Sequence, residues 1–383
     1  MATAANALPS YQHFTCQPLA GALGAEVQGI QLGGDLSDEQ MAELNQALLD
    51  YKVLFFREQG MDDDAHAAFA RRVGTPADAD FIPSLDGYPM MTRQRYDENN
   101  RMGSDVSFHH DDSFHKYPTK MSILRSLEVP ENGGDTLWVD MEKVFASLSQ
   151  PLQEFLTGKT GEHSLLQGFG RMMAEESSGE ALDKMMQRNP AHEHPLVIRH
   201  PETGKKALYV SELLTLKIKE INREESDLLL KYLCDLAYRP EFSCRFQWTP
   251  NTVAWWDNRN TVHRGIDDFY PHVRVMHRVA IADEQQPSLN PDHAMRREIS
   301  HLDIVPCNSL DDESEDNPID VNFLAELNTK REGVEFSPEA AMRVKSIPAG
   351  FRDAALGAVF EAADEKGVSL VDEALLDAVQ ASR

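Results

Sequence analysis

Residues 108–115 read FHHDDSFH and contain two overlapping His-x-Asp pairs, His109 with Asp111 and His110 with Asp112. In an extended segment residues i and i+2 point the same way, so either pair presents an imidazole and a carboxylate to one point. Such groups hold a metal ion once a third ligand arrives from elsewhere in the chain. Among fourteen histidines a lone pair of this kind also arises by chance on a solvated loop. The candidate third ligand is His263, in TVAWWDNRNTVHRGIDDF, where a short polar turn follows an aromatic-rich strand. Phe108 and Phe114 share the parity of His110 and Asp112, so strict strand alternation favours that pair, and the residue pattern alone leaves the choice open.

A second constellation lies in VRVMHRVAIA, residues 273–282. Alternation puts Arg274, Met276 and Arg278 on one face, and Val273, Val275, His277 and Val279 on the other. A histidine on a valine face reads as a satisfied structural residue. The strand is apolar enough for burial on both sides, and a buried guanidinium needs an anion whose geometry fits its fork. An arginine here is placed to anchor a bound organic acid beside the metal. His192, His194 and His200, in AHEHPLVIRHPETG, lack a second ligand block and read as turn or strand-edge residues.

The elements that must position these groups are mostly strands. AEVQGIQL (25–32), KVLFFRE (52–58), MSILRSLEV (121–129), ALYVSE (207–212), FSCRFQW (242–248), TVAWWD (252–257) and 273–282 all carry strand patterning. Ser37-x-x-Gln40 resembles a capping box opening a helix with Met41, Leu44, Leu48 and Tyr51 at helical spacing. Further helices are expected around 141–150, 175–188 and 223–238, the last with a start signal at Asn222-x-x-Glu225. Many strands with few intervening helices predict a mainly β chain with helices, its core a largely antiparallel jelly roll. After about residue 305 the composition changes. DDESED (311–316) reads as part of an acidic linker over 306–333, and 334–383 as a separate small all-α module. The rest, 1–305, is expected to be one catalytic domain.

The formal net charge of −26 over 383 residues argues against nucleic-acid or anionic-membrane partners, because that sign repels phosphate. The scattered Cys16, Cys234, Cys244 and Cys307 show no Cys-x-x-Cys spacing and read as reduced thiols. The start, MATAANALPSYQHF, lacks the basic stretch and apolar core of a secretory signal, so a cytoplasmic protein is expected. A small-molecule substrate and a homo-oligomer are the expected associations.

Together, FHHDDSF, SILRSLEVPENGGDTLWVDM, HPLVIRHPETGKKALYVSE and WWDNRNTVHRGIDDFYPHVRVMHRVAI resemble, in order, the taurine dioxygenase (TauD/TfdA-type) family of Fe(II)/2-oxoglutarate-dependent dioxygenases. The resemblance runs from about residue 15 to 285. It implies a double-stranded β-helix and a C–H hydroxylation that consumes O2 and 2-oxoglutarate and releases succinate and CO2. It also implies that His109, Asp111 and His263 hold Fe(2+), and that Thr136 and Arg278 grip the far carboxylate of 2-oxoglutarate. Arg274 is similar to a second family arginine near the site. Related halogenating enzymes have a small residue where Asp111 stands, so the aspartate implies hydroxylation.

Taurine enzymes carry a substrate-contacting histidine ahead of the His-x-Asp block, and ADFIPSLDGYP has none. Asp105 and Asp112 would bring negative charge to the substrate side and favour an amine or hydroxyl on the substrate. Tyr209 falls on a family pocket position and equally suits a core aromatic. The tail, FSPEAAMRVKSIPAGFRDAALGAVFEAADEKG onward, is similar to the small helical domain ending the light-independent protochlorophyllide reductase B subunit, which suggests docking to a partner or neighbouring subunit. Two other readings keep the same residues: a zinc-dependent hydrolase and a non-catalytic organic-acid sensor.

Overall fold

In a computed structural model of the chain, the described residues are 9–79, 83–101, 107–168 and 186–291, with scattered residues between 327 and 376. The chain divides into two compact units, Met1–Met172 with Asp183–Cys307, and Met173–Leu182 with Asn308–Arg383.

The first unit opens with strands β1 (Thr15–Pro18) and β2 (Ala25–Gln28), helix α1 (Asp38–Tyr51), strand β3 (Val53–Phe56) and helix α2 (Asp63–Val73). Strands β4 (Ser84–Leu85), β5 (Tyr88–Tyr96), β6 (Thr119–Glu128) and β7 (Thr136–Asp140) follow. Helices α3 (Met141–Ser147) and α4 (Gln150–Leu156) lead into β8 (Thr160–His163) and β9 (His192–Pro195). Next come β10 (Val197–Arg199), β11 (Lys206–Leu208), β12 (Thr215–Ile218) and helix α5 (Arg223–Ala237). Strands β13 (Ser243–Phe246), β14 (Val253–Asp257), β15 (Thr261–Gly265) and β16 (Arg274–Ala282) complete the unit.

Both anticipated capping boxes form. The Ser37 hydroxyl accepts from the Gln40 N–H at 3.2 Å while Gln40 accepts from the Ser37 N–H, and Asn222 and Glu225 do the same for α5. Each satisfies two backbone donors that a helix start otherwise leaves open.

An eight-stranded sheet runs β1-β2-β3-β14-β6-β16-β5-β4, antiparallel except at β2–β3. A smaller sheet, β13-β7-β15, faces it. Strand β14, VAWWD, is buried throughout because both its faces are covered. On the outer face Trp255 meets Phe69 of α2 edge-on at 5.6 Å, in a core shared with Leu44, Leu48, Ile123 and Val279. On the inner face Trp256 meets Trp138 of the small sheet at 5.6 Å, with Leu124, Phe246 and Met276 around them. The architecture is mixed and sheet-rich with few helices, consistent with the anticipated jelly roll.

Four expected strands are shorter than read: 52–58 reduces to Val53–Phe56 and 242–248 to Ser243–Phe246, and two others end early. The segment 25–32 ends at Gln28, followed by Gly29 at φ +90°. The segment 207–212 ends at Leu208, where the chain turns and Tyr209 donates its N–H to Leu196 at 2.7 Å. Cys16, Cys234 and Cys244 are unpaired, and Cys307, the acidic run 311–316 and most of 175–188 lie outside the described residues.

The second unit has its own apolar cluster, including Val334, Phe336, Ala340, Val344, Leu356, Val359 and Val371. It is not wholly helical, contrary to the all-α expectation. Glu335–Phe336 pairs in parallel with Leu370–Val371. These short stretches carry the aromatic and β-branched residues that suit extended pairing.

Candidate metal centre

Three side chains from two distant parts of the chain meet at one point. One ligand atom each from His109, Asp111 and His263 lies within 4.8 Å of the others, the arrangement expected around a single ion. The Nε2 atoms of His109 and His263 sit 3.5 and 3.8 Å from Asp111 Oδ1. Backbone pairing sets this spacing: His109 N–H donates to His263 O at 3.1 Å, and His263 N–H returns a bond to His109 O at 3.0 Å. The rings consequently lie 4.3 Å apart.

Each group is held by its surroundings. His109 Nδ1 lies 2.9 Å from Ser107 O and donates to it, which turns Nε2 toward Asp111. His263 stands on β15 opposite Trp138 and packs against Trp256 at 4.8 Å. Burial, helped by His109, pushes its pKa down to about 3, so the ring is neutral, as a metal ligand must be. Burial alone would raise the Asp111 carboxyl, yet Arg278 and the two histidines hold it well below the usual range. Its Oδ2 is tied down by the Ser122 hydroxyl at 2.6 Å and by Asn258 Nδ2 at 3.3 Å, while Oδ1 faces the two imidazoles and takes Arg278 Nη1 at 2.7 Å. Two imidazole nitrogens and one ionised carboxylate oxygen on a common point fit a divalent iron with open coordination positions.

The rival pair does not converge. His110 is fully buried, donates Nδ1–H to Asn258 O at 2.8 Å and stacks on Tyr209 at 4.3 Å. Asp112, at φ +56°, accepts from the Thr119 hydroxyl and sits 3.9 Å from Arg278. The segment 111–114 is a turn rather than a strand, so the parity argument loses its premise. Tyr209 packs among His110, His163 and His194 behind this loop. Three histidines brace the loop: His163 bonds Ser113 Oγ at 2.9 Å, His192 bonds Phe114 O at 2.8 Å, and His194 bonds His115 O at 3.0 Å. His200 is instead buried, with Nε2 hydrogen-bonded to Asp257 Oδ2 at 3.0 Å.

The alternation read in residues 273–282 is the one observed. Arg278 points inward and reaches Asp111 Oδ1 at 2.7 Å, while His277 points outward to Asp63 at 2.8 Å. The Thr136 hydroxyl accepts from Trp248 Nε1 at 3.0 Å, and a guanidinium over Trp248, at 5.9 Å, is that of Arg274. Arg274 Nε also donates to Gly134 O at 3.2 Å, two residues before Thr136. Asp105 lies outside the described residues. Sequence reasoning missed Ser122, Asn258 and Ser107. The signal for Asn258 lay in WDNR, and nothing in the pattern marked the two serines.

The sequence model of the taurine catabolism dioxygenase TauD, TfdA family matches residues 15–280. The chain belongs to this family. An alkylsulfatase of Acinetobacter baylyi is 34% identical over 71% of this chain and 86% of its own length. An alpha-ketoglutarate-dependent sulfate ester dioxygenase of Pseudomonas putida is 32% identical, covering 74% of this chain and 93% of its own. A solved taurine dioxygenase from Burkholderia xenovorans superposes with a TM-score of 0.64 at 29% identity, covering 78% of this chain and all of the other. The chain is thus a 2-oxoglutarate-dependent dioxygenase acting on a small molecule. Among the described residues no helix is long and apolar enough to cross a membrane.

Proposed function

We propose that this dioxygenase uses iron(II), held by His109, Asp111 and His263, to hydroxylate a C–H bond of an anionic small molecule of the sulfate-ester or sulfonate class. The convergence of two Nε2 atoms and Asp111 Oδ1 carries the proposal. Iron bound there supplies the site at which O2 and 2-oxoglutarate react. The chain's own part is orientation and exclusion of water. Asp111 and the two histidines offer donor atoms in a fixed array, and the Trp138 and Trp256 rings behind His263 keep the floor dry.

The two arginines divide the anions between them. The shared environment of Thr136, Trp248 and Arg274 supports these residues as the anchor for the far carboxylate of 2-oxoglutarate. This exchanges the role expected of Arg278. A guanidinium only 2.7 Å from the ligating oxygen of Asp111 is too close to the ion for that far carboxylate, and suits the prime substrate's anionic end. Hydroxylation of the carbon bearing a sulfate-ester oxygen leaves a carbon with two oxygen substituents. It expels sulfate, loses the hydroxyl proton and becomes an aldehyde.

The test is anaerobic titration with Fe(II) and 2-oxoglutarate, then O2, with succinate measured against alkyl sulfates, sulfonates, aryloxyacids and amino acids. Stimulated succinate release and free sulfate from an alkyl sulfate are expected. Stimulation only by amines or uncharged alcohols would overturn the substrate class, and failure to release succinate at all would overturn the chemistry.

A further inference from the structure

Asp111 has two carboxylate oxygens, and a metal ion accepts either one of them or both. The choice matters. Three protein ligands and a chelating cosubstrate use five of six octahedral positions, so a second bond from Asp111 would fill the sixth. The surroundings of Asp111 are organised around this choice. Oδ1 faces the two Nε2 atoms and lies 2.7 Å from Arg278 Nη1, whereas Oδ2 is turned toward β6 and accepts from Ser122 Oγ at 2.6 Å and Asn258 Nδ2 at 3.3 Å. The two donors are locked to one another, since Asn258 Nδ2 also donates to Ser122 Oγ at 3.0 Å. The amide cannot flip, because its Oδ1 accepts from Trp256 Nε1 at 2.9 Å and from the Asp111 N–H at 3.3 Å.

The frame behind this clamp is equally fixed. Ser122 stands on β6 opposite Trp256 of β14, and Asn258 opens the turn that carries the chain from β14 to β15 and His263. That turn is pinned by Asp257, which accepts from Arg259 Nη2 at 2.6 Å and from His200 Nε2 at 3.0 Å, both partners buried. Ser122, Asn258 and Asp111 are each at most 3% exposed, so water does not replace a lost donor freely.

From this geometry we infer that Ser122 and Asn258 are positioning residues that hold Asp111 to one-oxygen coordination and so keep the sixth position open for O2. Neither residue touches the ion or the substrate. The inference rests on the metal site proposed above and concerns how that site is shaped rather than whether it exists.

Two readouts on the full chain test it, neither of them turnover. One is the affinity for Fe(II) under anaerobic conditions. The other is the fraction of the Fe(II)–2-oxoglutarate protein that binds nitric oxide, a probe of the sixth position, read from its electron paramagnetic resonance signal. Ser122→Ala frees Oδ2 to swing onto the ion. It is expected to weaken Fe(II) binding by about 10-fold, the low end for loss of a group that orients a ligand, and to lower the nitric oxide-bound fraction severalfold. Ser122→Thr keeps the hydroxyl and is expected to restore both. An Ala variant identical to wild type in both readouts, or a Thr variant as impaired as the Ala one, overturns the inference while the metal site stands. Should Ser122→Ala not fold, Asn258→Leu, close in shape, removes the other donor and the same outcomes decide. Wild-type protein that binds no Fe(II) overturns the metal site and this inference together.

Discussion

Strand β16 presents the same kinds of side chain to two different fates. On its inner face Arg278 joins Asp111, His109 and His263; on its outer face His277 joins Asp63, Arg125 and His66. Each set holds two histidines, one aspartate and one arginine. In the outer set the acceptor is already spent, since Asp63 Oδ1 takes His277 Nδ1 at 2.8 Å and the Arg125 guanidinium, which also donates to Met61 O. In the inner set the two oxygens are divided. Oδ2 is bound away from the centre by Ser122 and Asn258, while Oδ1, which also takes Arg278 Nη1 at 2.7 Å, faces two imidazole nitrogens at a common point. Residue type therefore does not set the proposed metal site apart. What sets it apart is the direction in which neighbours turn each donor atom.

The sharpest way to break this contrast is to remove one histidine from each set. His109→Ala is expected to weaken Fe(II) binding by more than about 100-fold, beyond what loss of an orienting partner costs. His110→Ala and His277→Ala are expected to leave it within about threefold, measured by anaerobic titration. If His277→Ala abolished binding, the outer set would have to be counted with the site. Stability gives the converse. Asp63→Ala strips Arg125 and His277 of their shared acceptor and is expected to cost about 1.5–3 kcal/mol in urea unfolding, with iron affinity unchanged.

A smaller effect sharpens the division within the inner face. Arg274→Gln is expected to raise KM for 2-oxoglutarate about tenfold with little change for the prime substrate, and Arg278→Gln the reverse. That size corresponds to losing one charge-assisted hydrogen bond. The opposite split would return Arg278 to the cosubstrate.

The last effect concerns acid. Burial pushes His66 and His263 down to about 3, and His110 and His194 to about 4, whereas the unfolded chain's histidines titrate near about 6.5. Between those values the unfolded state binds more protons, so unfolding free energy rises with pH and is lost as pH falls below about 6.5. The loss levels off only below the folded values. His66→Leu removes one such proton and should flatten the acid limb by at most about 1.4 kcal/mol per pH unit, read from urea midpoints between pH 6.5 and 4. An unchanged slope would mean that His66 is protonated in the fold.

The sequence disclosed the strands whose periodicity is long and strong, and it disclosed little of the rest. Residues 273–282 alternate cleanly, which was enough to send Arg274 and Arg278 one way and His277 the other. Ser37 and Asn222 announced their helices through a local hydrogen-bond pattern that needs no tertiary contact. Strands β7, β8, β9 and β15 are four or five residues long and mixed in polarity, so no period accumulates over them. At the site, composition supplied the ligand types but could not choose between His109 and His110, because that choice depends on a turn at 111–114. Ser122 was invisible for a simpler reason. A serine inside MSILRSLEV reads as one more strand residue, and its importance comes only from Asp111, eleven positions away in sequence and 2.6 Å away in space.

The reciprocal backbone bonds between residues 109 and 263 have a practical consequence. They hold the two imidazole rings 4.3 Å apart through main-chain bonds alone, so the proposed cradle is preassembled and offers itself to whichever cation arrives first. Affinity for nitrogen and oxygen donors rises from iron through cobalt and nickel to copper. Protein purified on a nickel resin should therefore emerge largely poisoned, and stripping with a chelator followed by anaerobic ferrous reloading should revive it.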